Sequence, residues 1–260
     1  MIPLRLFIPL AASALLAAVP LVEGQDSTPA FQQTTDAEAG IRYETLSNGF
    51  APWRDAYVSG IHHFSERKVL YGAIDETSRF SMLDSQATAG LYYPLGRSWT
   101  GVFEGDISPT HNILPAWSGF GQIDRSFRNG WGADAGVRHR KYEGASVYIT
   151  NAGVEKYIRS FHLAYTLYES YLKGAGASST SRVEADYYYG RNSISLNAAA
   201  GSELDNIFPA GVVQTPVKLM NLNGTHWFAP AWAVSFSVSG ENEGRFYNRR
   251  GFSIGLRRKL

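Results

Sequence analysis

The last ten residues, Gly251 to Leu260, place Phe252, Ile254, Leu256 and Leu260 at alternate positions. That period of two is the signature of a strand with one apolar face. A strand in this place is what a closed sheet needs if its last member must pair with its first. At the other end, residues 1–24 have the form of a secretory leader. The two ends together predict an exported β-barrel of a bacterial outer membrane.

The leader reads in three parts. Arg5 supplies the basic start, Leu6 to Val22 is apolar and rich in Ala and Leu, and Val22-Glu23-Gly24 predicts cleavage near Gly24. The apolar run, about 17 residues, sits at the short limit of the roughly 17–25 that span a bilayer, and Pro9 and Pro20 interrupt it. A cleaved leader is therefore expected rather than an anchor. The chain has no Cys, so no lipid-attachment box and no disulfide framework. Stability must come from elsewhere, and a closed hydrogen-bonded sheet supplies it. A net charge of +1 argues against a nucleic-acid partner. Aromatic residues at 13% and 26 glycines suit girdles and tight turns.

Residues 25–40 are polar without apolar patterning and read as a flexible periplasmic lead-in. From Ile41 to Leu260 the chain is a series of short alternating segments. In Phe161 to Tyr168, Phe161, Leu163, Tyr165 and Leu167 alternate with His162, Ala164, Thr166 and Tyr168, a period of two rather than 3.6. Strands are expected at 41–48, 53–64, 68–77, 82–94, 97–107, 115–124, 130–141, 145–156, 158–170, 181–190, 193–202, 215–225, 230–241 and 245–260. The fold class is all-β, a transmembrane antiparallel up-and-down barrel of about fourteen strands, with twelve as the alternative, since such barrels have even strand numbers. Connections also alternate. One set is short: 65–67, 95–96, 125–129, 157, 191–192 and 226–229. The other includes the long stretches Ser108 to Leu114, Tyr171 to Thr180 and Glu203 to Gln214. Outer-membrane barrels show this contrast between tight periplasmic turns and larger outer loops.

Four segments have clean faces. In 97–107, Trp99, Phe103 and Ile107 oppose Thr100, Glu104 and Asp106. In 130–141, Trp131, Ala133, Ala135 and Val137 oppose Asp134, Arg138 and Arg140. In 181–190, Val183, Ala185 and Tyr187 oppose Glu184 and Asp186. In 230–241, Trp232, Val234, Phe236 and Val238 oppose Ala233, Ser235, Ser237 and Ser239. A lipid-facing Arg or Lys at mid-depth costs roughly 2–4 kcal/mol. The charged faces therefore belong to the lumen, and the lumen-lining candidates are Glu104, Asp106, Asp134, Arg138, Arg140, Glu184 and Asp186. A soluble sheet would share the periodicity; the leader, the terminal strand and the loop contrast select the barrel.

Several segments resemble the YaiO family of outer-membrane β-barrels. They are Trp53-Arg54-Asp55, Arg79-Phe80 ahead of the Gly90 to Gly96 run, Ser108-Pro109-Thr110-His111 with Leu114-Pro115, Val154-Glu155-Lys156-Tyr157, and Ala164 to Tyr168. The resemblance spans roughly 41–260, and the Ser-Pro-Thr-His segment is its most specific part. It implies an outer-membrane barrel and envelope or surface-polysaccharide work, with no established enzymatic role. Two features depart from the usual barrel ending. Leu260 stands where Phe is common, and Arg258 falls in the apolar register, tolerable only where its stem can snorkel at the interface.

The chain carries no Gly-x-Ser-x-Gly, no His-Glu-x-x-His and no phosphate-cradling glycine loop. His62 and His63 are neighbours on a strand and point to opposite faces. A hydrolytic set could be drawn only from Ser108, His111 and Asp106. Trp53, Trp99, Trp117, Trp131, Trp227 and Trp232 suit an interfacial girdle better than sugar platforms. The expected role is a pore or export component for a surface molecule such as a polysaccharide, in a Gram-negative envelope. The rivals are a lipid-modifying barrel enzyme and a structural or adhesive barrel with a plugged lumen. No catalytic residues, metal or cofactor are expected. The expected partners are outer-membrane lipid and lipopolysaccharide, the barrel assembly machinery and a surface polysaccharide, with the barrel a monomer.

Overall fold

The computed structural model describes residues 31–172, 176–207 and 210–260. The leader at 1–24 and the lead-in up to residue 30 lie outside them. The strands are β1 (Thr34–Leu46), β2 (Trp53–Ser65), β3 (Lys68–Arg79), β4 (Met82–Pro94), β5 (Trp99–Ile107), β6 (Trp117–Ser126), β7 (Trp131–Tyr142), β8 (Ala145–Ile158), β9 (Phe161–Leu172), β10 (Gly176–Tyr189), β11 (Asn192–Ile207), β12 (Gly211–Ala229), β13 (Trp232–Asn242) and β14 (Asn248–Lys259). Each pairs antiparallel with its sequence neighbour, and β1 pairs with β14, closing the barrel. The seam runs from Asp36↔Lys259 to Leu46↔Arg249 through Ile41↔Ile254. Closure leaves no strand edge, so every backbone group in the sheet has a partner without water.

The expected strands correspond one to one with these fourteen. Three boundaries need correction. β1 starts at Thr34, so residues 34–40 belong to the barrel rather than to the lead-in. The stretches Tyr171–Thr180 and Glu203–Gln214 are not long loops. β9 runs to Leu172 and β10 starts at Gly176, while β11 runs to Ile207 and β12 starts at Gly211. Their Ser, Thr and Gly content looks like loop, but β-ladder pairing extends both hairpins through it, to Gly176↔Leu172 and Ile207↔Gly211. Ser108–Leu114 remains a true loop, part of the 108–116 connection.

The outward face is apolar and the inward face polar. Ile74, Phe103, Val183, Val238, Phe252 and Ile254 are exposed outward, whereas Asp55, Glu104, Arg140, Asn151, Asp186 and Asn197 are buried inward. The barrel is not uniformly polar inside. Ile61, Val69, Tyr71, Tyr92 and Val102 form an apolar patch on the inner wall of β2–β5. Tyr142, Val147, Ile149, Leu172 and Leu204 form another towards the opposite end of β7–β11.

The end that holds the described termini is the terminal end. Its turns are 66–67, 95–98, 127–130, 159–160, 190–191 and 230–231. The far end holds the longer connections 47–52, 108–116 and 243–247, besides tight turns. One tight turn is unusual. Phe80 and Ser81 both have positive φ, 51° and 63°, which a two-residue hairpin needs and glycine normally supplies. Phe80 packs edge-on against Trp53 and Phe50, with centroids 5.2 and 5.6 Å apart, and these contacts offset the strain.

Candidate functional site: the charged interior

At the far end the inner wall converges on Trp53, which is fully buried. The guanidinium groups of Arg79 and Arg249 each stand 4.6 Å from its ring centroid. Desolvated cation–π contacts of this kind are worth about 2 kcal/mol or more. Trp53, Ile207 and Tyr247 form a buried cluster with Leu46, Phe50, Phe80, Val213 and Phe246 around them. Ile207 and Val213 come from the β11–β12 hairpin, so that hairpin reaches across to β2 and covers part of the far mouth.

Beneath this cluster lies a network of buried ion pairs. Asp55 accepts from Arg42 at 3.1 Å and Arg79 at 3.4 Å, and a short bond from Thr77 joins them. Arg249 reaches Glu44 at 3.2 Å and Glu241 at 2.6 Å. Glu203, Glu241 and Glu243 bring carboxylate oxygens within 4.8 Å of one another. Towards the terminal end, Arg257 donates to Glu38 at 2.7 Å. Tyr57 and Ser235 donate to the same carboxylate at 2.7 and 2.6 Å. Gly40 makes room for this, since a Cβ there would stand 2.5 Å from Tyr57 Cζ. Two of these pairs, Glu44–Arg249 and Glu38–Arg257, cross the β1–β14 seam from within.

The seven lumen-lining candidates fall into two groups. Arg138 on β7 donates to Glu104 at 2.7 Å and to Asp106 at 3.2 Å on β5, and lies 4.6 Å from the Phe120 ring centroid. Tyr71 donates to Glu104 at 2.6 Å, and Thr88 donates to Asp106 at 2.7 Å. Asp134 and Arg140 share the strand of Arg138 and its inward register, but Asp134 is held by Asn151 at 2.8 Å, and Arg140 is buried. Glu184 and Asp186 form the second group on β10. Asp186 lies 2.6 Å from His162 Nδ1, Glu155 lies 3.0 Å from Nε2, and Arg182 makes a short bond to Glu184.

The loop 108–116 is ordered by one carboxylate. Asp84 accepts from the backbone N–H groups of Asn112, Ile113 and Leu114 at 2.9, 2.7 and 2.9 Å. Ser108 Oγ donates to Ser85 O at 2.8 Å, and Thr110 Oγ1 accepts from Ser85 N at 3.1 Å. Ile113 and Leu114 are thereby buried. His111 Nδ1 lies 3.1 Å from the backbone oxygens of Ser108 and Pro109, not beside Ser108 Oγ. The Ser108–His111–Asp106 set is not assembled as nucleophile, base and orienting acid, because Asp106 is engaged by Arg138, Ser118 and Thr88.

Trp99, Trp131 and Trp232 sit outward at the terminal end, as a girdle requires, and Trp117 lies outward towards the far end. Trp53 does not. It is enclosed by the aromatic cluster and two arginines, because its register with Asp55 points inward. Trp227 also falls in the inward register of β12, half-buried, beneath Arg191 at 3.9 Å. The periodicity argument missed Glu38, Glu44, Asp55, Arg79, Glu241 and Arg249. Their strands mix small, aromatic and charged residues on both faces, so no clean alternation marks them. One usable signal was the pair of segments Trp53-Arg54-Asp55 and Arg79-Phe80, which meet in space.

No curated protein sequence matches the chain. Solved structures share the fold. A bacterial polysaccharide outer membrane secretin superposes with a TM-score of 0.54 at 8% identity, over 87% of this chain and 98% of that one. The CymD monoaromatic hydrocarbon channel gives 0.54 at 10%, over 87% of both chains. An anion-selective porin from Comamonas acidovorans gives 0.50 at 7%, over 88% and 99%. Identities so low speak for architecture alone, that of outer-membrane barrels resembling porins and channels. The YaiO membrane beta barrel domain matches residues 34–206, which ends before β12–β14 and covers more than half of the chain. The protein is an outer-membrane β-barrel and belongs to the YaiO family.

Proposed function

We propose that this barrel passes a polar surface molecule, such as a polysaccharide, through its charged interior. The observation that carries the reading is the inner wall. Buried carboxylates and guanidiniums line it at the terminal end (Glu38, Arg257), midway (Glu104, Asp106, Arg138) and at the far end (Glu44, Arg249). Polar groups aligned along a barrel are how pores offer hydrogen bonds to hydrated solutes. The fold shared with a polysaccharide secretin agrees with this reading. The pairing of Arg138 with two carboxylates favours the second reading, a plugged barrel, as does the cluster over the far mouth. Planar-bilayer conductance separates the two. A pore shows discrete channel steps that shrink when the matching polysaccharide is added. In Trp53→Ala the steps grow, because the mouth cluster loses its central ring. A silent bilayer for both proteins would leave the plugged barrel as the function.

A further inference from the structure

The terminal rim carries a ring of cations that no carboxylate of the described residues answers. On the outward face, three cross-strand pairs each set a cation on an aromatic ring: Trp99↔Arg125, Trp131↔Lys156 and Trp232↔Arg258. The charges stand 4.9, 4.7 and 5.2 Å from the ring centroids. Lys68 lies between Phe64 and Tyr93, at 5.2 and 5.5 Å. Below them the turns add a second tier. Arg67, Arg97, Arg128, Arg159 and Arg191 stand one to a turn, and only the turn at 230–231 lacks one. Glu66 is the acidic residue in those turns. The far rim has no such bias: Arg54, Lys141, Lys218 and Arg250 are mixed with Glu76, Glu143 and Glu169. The ion pairs described above lie inside the barrel, so the interior carboxylates do not reach the rim cations.

Aromatic rings locate this belt at the boundary between hydrocarbon and headgroups. A cation clipped over such a ring is held at headgroup depth, where its counter-charge is a lipid phosphate. We infer that the terminal rim is a binding collar for the phosphates of anionic phospholipids in the leaflet it faces. Short turns mark the periplasmic end of outer-membrane barrels, so that leaflet is the phospholipid one. The collar is independent of whether the lumen conducts.

Native mass spectrometry of the detergent-purified protein tests this, with phosphatidylglycerol, phosphatidylcholine and lipid A added in separate mixtures. Arg67 and Arg191 are left alone, because Arg67 braces the 95–98 turn through Gly96 O and Arg97 O, and Arg191 donates to Pro230 O. The rim variant is R97Q/R128Q/R159Q/R258Q; the control is K141Q/K218Q/R250Q at the far rim. Heat-modifiable migration confirms that each is folded. The wild type and the control should retain phosphatidylglycerol well above phosphatidylcholine. The rim variant should lose roughly tenfold or more of that preference, since each basic side chain near an anionic surface contributes about fivefold. Equal retention of the two phospholipids by the wild type overturns the proposal. So does an unchanged rim variant, and so does a preference for lipid A that the rim variant abolishes, which would put the collar in the other leaflet. If the rim variant does not fold, R128Q and R159Q singly must each show the fivefold step.

Discussion

Arg249 makes plain why single residues matter here. It is buried, faces Glu44 and Glu241, and supports Trp53 from below. Removing one member of a buried pair leaves the other charge uncompensated, at about 3–5 kcal/mol. Arg249→Ala should therefore lower the urea midpoint of the barrel folded in vesicles by that amount. Glu44→Gln should cost less, because the amide can still accept from the guanidinium. Equal, small losses for both would mean that water fills the site and screens the pair. The face assignment is a second residue-scale test. Phe236 lies in the outward register of β13, while Ser237 bonds Ser253 at 2.6 Å inside. Phe236→Arg should cost roughly 2–4 kcal/mol against far less for Ser237→Arg. Similar costs would place β13 one residue out of register. Arg258 shows the tolerated exception: it is in the apolar register, but it ends the strand and lies over Trp232, so its head reaches the headgroups.

At the level of elements, the number and order of strands were readable because lipid imposes a strict alternation. Phe161 to Tyr168 and 97–107 obey it and were placed on the correct faces. β1 was read short because Thr34 to Gly40 contains Thr, Asp, Glu and Gly, and its polar side faces the lumen and the seam partner β14. The hairpin ends around residues 171–180 and 203–214 misled for a related reason: strands that project past the hydrocarbon need no apolar face, so their composition resembles loop. The buried network at the far end was invisible because it joins residues from β1, β2, β3, β13 and β14, which no local pattern relates. The loop 108–116 is different again. Its Ser-Pro-Thr-His start was noticed, but the partner that orders it, Asp84, lies on β4. Asp84→Ala removes three charge-assisted bonds to backbone N–H groups, each worth about 1.5–3 kcal/mol. The loop should become cleavable by protease near Ile113 while the barrel keeps its heat-modifiable migration. A loop still protected would show that the burial of Ile113 and Leu114 holds it alone.

For the molecule as a whole, closure decides whether there is a fold at all. Deleting Phe252 to Leu260 exposes the edge of β1 and of β13 in hydrocarbon, at several kcal/mol for each unsatisfied backbone group. The truncated chain should appear as unfolded, protease-sensitive material. A truncated chain recovered folded in outer membranes would show that β14 is dispensable. The seam also sets a clock. All the other ladders join strands adjacent in sequence, but β1 and β14 bring Asp36 beside Lys259. Local hairpins can zip early, whereas this contact must wait until the rest of the sheet has curled, because joining distant segments carries the largest chain entropy. Glu38–Arg257 and Glu44–Arg249 would then be absent from the rate-limiting state and present only in the finished barrel. Interactions of that kind slow escape from the native state and leave the approach to it untouched. The inner seam pairs are therefore a latch on lifetime: Glu44→Gln should shorten the half-life of the folded barrel in denaturant and leave its insertion rate unchanged.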